Sequence, residues 1–112
     1  MNSISSEYLC RAVCKDCRWA SKWAYDVSIA QKYLQEHVLE NPNHTGYIMH
    51  FDGPGFEIVP ESPPCFAVCD SCAWYSKKMR HSYDEAENDG YLHRSSNKGH
   101  KTRVEYVEVP LP

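Results

Sequence analysis

No stretch of this chain approaches the length of apolar residues that a membrane-spanning helix needs, roughly 20. The first residues, Met1-Asn2-Ser3-Ile4-Ser5-Ser6-Glu7, lack the basic start and apolar run of a secretory signal. An excess of positive charge is also missing: 12 Lys and Arg stand against 15 Asp and Glu, a formal net charge of −3. A dedicated nucleic-acid binder normally shows a net basic face. There is no phosphate-binding glycine loop, no Ser/His/Asp set and no spare carboxylate pair beside the histidines, so no enzyme is expected. A length of 112 residues allows one domain or two very small ones. The expectation is a cytoplasmic protein with no membrane association.

What the chain does have is one metal signature written twice. Cys14-x-x-Cys17 is followed after nineteen residues by His37, and after six more by His44. Cys69-x-x-Cys72 is followed after twenty residues by His93, and after six more by His100. Two cysteines and two histidines make a tetrahedral Zn²⁺ ligand set. Four of the six cysteines sit in these pairs at repeated distances from histidine, which favours metal over disulfides in a reducing compartment. Two Zn²⁺ ions are therefore expected, both structural, because two sulfurs and two imidazoles leave no open position for catalysis.

The repeat extends past the ligands. Cys10-Arg11-Ala12-Val13-Cys14 aligns with Cys65-Phe66-Ala67-Val68-Cys69, and Trp19, Ser21 and Lys22 align with Trp74, Ser76 and Lys77. After one inserted residue, Ala30, His37, Asn41 and His44 align with Ala86, His93, Asn97 and His100. Two copies are too few for a solenoid. The expected fold class is α+β, with two tandem zinc-stabilised ββα(β) modules related by internal duplication. The first covers residues 7–52, a linker 53–64, and the second 65–109. Modules this small seldom bury enough apolar surface to fold unaided.

Alternation over 8–14 predicts a strand, with 18–25 returning as its hairpin partner. Capping boxes are expected at Ser28-x-x-Gln31 and Asp84-x-x-Glu87. Ala30, Tyr33, Leu34, His37 and Val38 fall on one helical face, which puts His37 on the buried side in the last turn. Asn41-Pro42 should end that helix, with Asn41 in the left-handed position. The second helix is expected to be weaker, since Gly90 costs about 1 kcal/mol against Ala and the apolar face is thin, with Tyr91 and Leu92 off phase. Strands are expected over 46–52 and 102–109, the latter a candidate exposed edge. Gly53-Pro54-Gly55 and Pro60-Glu61-Ser62-Pro63-Pro64 mark the linker, and residues 56–59 are a candidate for packing across the modules.

Cys10 and Cys65 also repeat. They are expected as small core residues, with oxidation as a pair or a ligand role as the alternatives. His50 and His81 have no counterpart and are expected to be ordinary surface or packing residues. Trp19 and Trp74 are expected as lids over the metals. A deaminase pattern fails, because neither His37 nor His93 has Glu two residues on.

The ligand order and the hairpin-then-helix pattern resemble ββα-type Cys2His2 zinc fingers, across both halves. The spacings depart from DNA-reading fingers, which place about twelve residues between the second Cys and the first His. The chain is more similar to small zinc-binding proteins of actinobacteria and their bacteriophages. Those carry CxxC, an Ala-rich helix ending in His, and a following -TGH- or -GH-; here the corresponding pieces are Asn43-His44-Thr45-Gly46 and Lys98-Gly99-His100. The resemblance implies a fold and a metal, no activity, and a host cytoplasm if the chain is phage-encoded.

The expected function is that of a zinc-stabilised interaction protein binding, and modulating, a protein partner, a host protein in a phage setting. Eight tyrosines and three tryptophans are more than two mini-cores need, and exposed aromatics are typical of interface hot spots. The alternative is a nucleic-acid-binding, transcription-regulating finger protein. It would use one basic cluster at Lys77, Lys78, Arg80 and His81, and another at Arg94, Lys98, Lys101 and Arg103. Oligomeric state is open.

Overall fold

The computed structural model describes residues 4–52, 55–58 and 61–107. The chain divides into two compact units, one running to Glu57 and the other covering Ile58–Glu108. Each has the α+β build expected, a strand pair with one helix across it, and the likeness of the two is compatible with internal duplication.

In the first unit, strand β1 (Ile4–Ser5) leads through a 3-10 turn (Ser6–Tyr8) to strand β2 (Cys10–Cys14). The side chains of β2 alternate as the sequence predicts: Cys10, Ala12 and Cys14 are buried, and Arg11 and Val13 are half-buried. Helix α1 (Val27–Glu40) follows, then strand β3 (Gly46–His50). The regular antiparallel partner of β2 is β3, from Cys10↔His50 to Cys14↔Gly46. The expected partner, 18–25, is a looser arm that meets β2 only at Val13↔Ala20 and Cys10↔Ala24. The reason is Ser21: its hydroxyl accepts the Ala12 N–H at 2.8 Å, and a spare residue between the two bridges bulges the arm out of ladder.

Helix α1 starts earlier than the capping box at Ser28 predicts. Asp26, in extended backbone, is the N-cap, and its Oδ1 accepts from the Ser28 N–H and hydroxyl, both at 2.8 Å. Aspartate is among the strongest N-cap residues. The Ser28 hydroxyl and amide hold its carboxyl below the usual carboxylate range. The buried face is the expected one, with Ala30 fully buried and Tyr33, Leu34, His37 and Val38 half-buried. Asn41 ends the helix at φ −136°, ψ 75°, so the left-handed position is not used. Its side chain instead donates to the His37 carbonyl at 3.0 Å.

Residues 55–58 of the expected linker are tied to the N-terminal segment. Ser6 N–H donates to the Phe56 carbonyl at 2.8 Å, Phe56 N–H donates to the Ser6 hydroxyl at 3.0 Å, and strand β4 (Glu57–Ile58) pairs with β1. The linker residues Gly53, Pro54, Val59 and Pro60 lie outside the described residues, as does the expected strand end at 108–109.

In the second unit, strand β5 (Cys65–Cys69) pairs antiparallel with β6 (Thr102–Tyr106), from Cys65↔Tyr106 to Cys69↔Thr102. All five side chains of β5 are buried. The arm after the cysteines meets β5 at Val68↔Tyr75 and Cys65↔Arg80. Ser76 repeats the role of Ser21, accepting the Ala67 N–H at 3.0 Å. Between its bridges this arm is one residue longer than its counterpart, which locates the insertion. Buried Trp23 and buried Met79 take equivalent places, so the added residue is the exposed Lys78.

Helix α2 (Tyr83–Ser96) begins two residues ahead of the expected box. Ser82 caps it reciprocally with Glu85: the Ser82 Oγ accepts Glu85 N–H at 3.4 Å and donates to the Glu85 carboxylate at 3.0 Å. Replacing Ser82 with Ala is expected to lower the stability of this unit by about 1 kcal/mol in denaturant unfolding. Tyr91 and Leu92 do not face the core and are each 57% exposed. Ala86 and Gly90 line the inner face, flanked by the ion pairs Arg80–Asp89 and Arg94–Glu87, both at 2.8 Å.

Gly90 is explained by its partner strand. A Cβ there would lie 2.8 Å from Thr102 Oγ1. In the first unit the equivalent helix residue is Leu34 and the equivalent strand residue is Gly46, where a Cβ would lie 2.6 Å from Leu34 Cδ1 and 2.5 Å from the Val13 carbonyl oxygen. The helix–strand contact therefore uses a large-small pair in one unit and a small-large pair in the other. Gly90→Leu alone is expected to destabilise the second unit by about 1–3 kcal/mol through overpacking. Adding Thr102→Gly should recover part of that loss, a favourable coupling on the order of 1 kcal/mol in a double-mutant cycle. Strictly additive losses would refute the exchange.

Candidate metal centres

Each unit brings its four predicted ligands together. Cys14 ends β2, Cys17 lies in the turn beyond it, His37 is in the last turn of α1, and His44 is in the loop entering β3. Cys69, Cys72, His93 and His100 occupy the same places around β5, α2 and β6. Within each group the ligating atoms all lie within 4.8 Å of one another.

The individual distances suit a tetrahedral ion. Cys14 Sγ is 3.4 Å from His44 Nδ1, and Cys17 Sγ is 3.6 Å from His37 Nε2. Cys69 Sγ is 3.5 Å from His100 Nδ1, Cys72 Sγ is 3.5 Å from His93 Nε2, and the two imidazole nitrogens are 3.4 Å apart. Bonds of about 2.3 Å to sulfur and about 2.05 Å to nitrogen, at tetrahedral angles, place S and N about 3.6 Å apart and N and N about 3.3 Å apart. The two separations in the first unit and the three in the second match edges of that tetrahedron. In both units the first histidine presents Nε2 and the second Nδ1.

The surroundings fix the sulfurs in place. Backbone N–H groups point at sulfur: Asp16 to Cys14 at 3.4 Å, Ser71 to Cys69 at 3.3 Å, and Trp74 to Cys72 at 3.4 Å. Such donors orient the sulfur toward the other ligands. Cys14 and Cys69 are buried, whereas Cys17 and Cys72 are exposed. The tryptophans lie flat on the helical histidines. Trp19 stacks on His37 with centroids 4.2 Å apart and rings 10° from parallel; Trp74 stacks on His93 at 4.2 Å and 12°.

The turn between the cysteines is laced to the loop carrying the second histidine, a contact the spacing does not announce. Lys15 N–H donates to the Thr45 carbonyl at 2.8 Å, and the Asp16 carboxylate accepts Thr45 N–H at 2.6 Å. In the second unit Asp70 N–H donates to the Lys101 carbonyl at 2.8 Å, and Lys101 N–H donates to the Ser71 hydroxyl at 3.0 Å. Asp16 and Ser71 differ in type, so the repeat hides them. Asn41 and Asn97 do repeat, but their work is done by side chains: Asn97, like Asn41, donates to the carbonyl of the helical histidine, at 2.9 Å.

Cys10 and Cys65 are buried apart from the ligand groups. The Cys10 thiol faces the Ala24 carbonyl at 3.7 Å, and the Cys65 thiol faces the Ser82 carbonyl at 3.3 Å. Burial raises the pKa of both, so each remains a protonated thiol packed in its own core. His50 and His81 are exposed.

The residues proposed for nucleic acid divide into two sets. Arg80 is held bidentate by Asp89, at 2.8 and 3.0 Å. Arg94 is held by Glu87 and Thr102, and Arg103 by Asp70 at 3.0 Å. Lys77, Lys78, Lys98 and Lys101 are exposed. The basic clusters are therefore less basic than their sequence suggests.

Comparison with protein-family models, with curated proteins and with solved structures found no match to this chain. The likeness to actinobacterial and phage proteins gains no support from them.

Proposed function

We propose that this chain is a small zinc-binding interaction protein. Each unit holds one structural Zn²⁺ through its Cys2His2 group, and the surface beyond the metals binds a protein partner and modulates it. The tetrahedral spacing of the ligand atoms carries the zinc assignment. The complete ligand set supports a structural ion, and with it a protein that is not an enzyme. The partner reading is supported by the net charge of −3, by three arginines already paired to acids, and by exposed Tyr8, Tyr25, Tyr83, Tyr91 and Tyr106. Paired thiols suit the reducing cytoplasm, and if the gene is a phage gene the partner is a host protein. Affinity capture from native cytoplasm, after nuclease digestion, should retain the same protein at stoichiometric yield. A capture lost with the nucleic acid would defeat this reading.

Nucleic-acid binding is the second reading, favoured by exposed Lys77, Lys78, Lys98 and Lys101 on one unit. It requires affinity that falls steeply with salt. No binding to DNA or RNA at low salt would dismiss it.

A further inference from the structure

Each unit carries a groove between the arm after CxxC and the outer side of the helix, floored by the tryptophan that stacks on the ligand histidine. The two grooves are built from aligned positions and differ in charge. In the first unit Lys22, Glu36 and Glu40 together line about 340 Å³. In the second, Leu92 and Ser96 stand where those glutamates stood, and Lys77 and Lys78 line about 440 Å³. Lys78 is the inserted residue, so the one length difference in the repeat adds a cation to this groove. Arg80 also lines it but is neutralised by Asp89, which leaves the two lysines as its free charges.

We infer that the groove of the second unit docks a carboxylate-rich segment of a partner protein, with an apolar side chain seated between Trp74 and Leu92 and acidic residues on Lys77 and Lys78. The inference rests on the protein-partner reading and names the chemistry of that partner. Apolar surface framed by ammonium groups suits an acidic peptide with an apolar anchor. A phosphate backbone needs a track of cations, and Arg94 and Arg103 are engaged elsewhere. The groove of the first unit, with its two glutamates, repels such a ligand and serves as an internal control.

The test uses the zinc-loaded full chain, labelled with ¹⁵N, with zinc content measured first. The probe is an acetylated, amidated pentapeptide with leucine flanked by glutamates; a lysine-flanked version and an oligothymidylate are the comparisons. Saturable shifts are expected at the Trp74 indole and at Lys77, Lys78 and Leu92, for the acidic peptide alone. The double variant Lys77→Glu/Lys78→Glu should weaken binding at least roughly tenfold while zinc content stays at that of the parent chain. Lys77→Gln/Lys78→Gln provides a milder version should charge reversal perturb folding. Equal response in the Trp19 groove, equal binding of the lysine peptide, or response to the oligonucleotide alone would overturn the inference. Partner capture that persists with both double variants would also overturn it, while leaving the partner reading standing. A parent chain without zinc would sink the metal assignment instead.

Discussion

Stripping zinc from the full chain with a strong chelator is expected to abolish the helical circular dichroism of both units, and added Zn²⁺ should restore it. Structural zinc in finger peptides contributes about 10–16 kcal/mol of apparent free energy at neutral pH. Whole domains are stable by only about 5–15 kcal/mol. In the first unit the cluster beneath α1, Cys10, Ala24 and Ala30, is made of small side chains with Ile29, Tyr33 and Ile48 only partly buried against it, and the large buried side chains are few: Leu9, Trp23, Met49 and Phe51 among the described residues. In the second unit, ion pairs stand where α2 would otherwise bury apolar side chains. Such cores do not replace the metal. The ligands join a strand end, a turn, the last turn of a helix and a loop, so losing the ion releases every junction in the unit at once. A helical signal unchanged after verified zinc removal would refute the structural role.

The second large effect is expected from single ligand substitutions. Cys69→Ser should reduce the zinc content measured by native mass spectrometry from two ions to one, because each group is complete within its own unit. Amide protection should be lost across Cys65–Cys69, Tyr83–Ser96 and Thr102–Tyr106 and retained across Cys10–Cys14 and Val27–Glu40. Cys14→Ser should give the reverse pattern. Cys65→Ser, four residues before the ligand and buried, should leave both ions bound and lower stability by about 1–3 kcal/mol, as expected when a buried hydroxyl replaces a thiol. Loss of an ion in Cys65→Ser would make that thiol a ligand and contradict its placement.

The metal groups were the most legible part of the sequence, because a tetrahedral ion restricts ligand type and order and the repeat removes coincidence. The face of α1 was legible for a similar reason: five positions at helical spacing leave one side to bury. The helix starts were not. Asp26 and Ser82 outcompete the boxes two residues downstream because capping depends on which residue adopts extended backbone, and that is decided by the arm feeding the helix. The thin face of α2 was legible too, since Tyr91 and Leu92 fall off phase with Ala86 and lie exposed; the ion pairs beside it were not, because Asp89 meets Arg80 and Glu87 meets Arg94 only in the folded unit.

By itself, the sequence determined which eight residues could share metal, that they form two groups, and that each group joins a strand to a helix, because ligand chemistry and periodicity are local and repeat. Only tertiary structure decided that the regular ladder of β2 is with β3 while the arm after the cysteines meets it at two bridges, that Gly90 answers Thr102 as Gly46 answers Leu34, and that three arginines are already committed. Those outcomes turn on which side chains meet across distant parts of the chain, where size and charge are matched pair by pair. Spacing along the chain carries the metal-ligand groups, whereas the charge left exposed on the surface is set by what those long-range pairs consume.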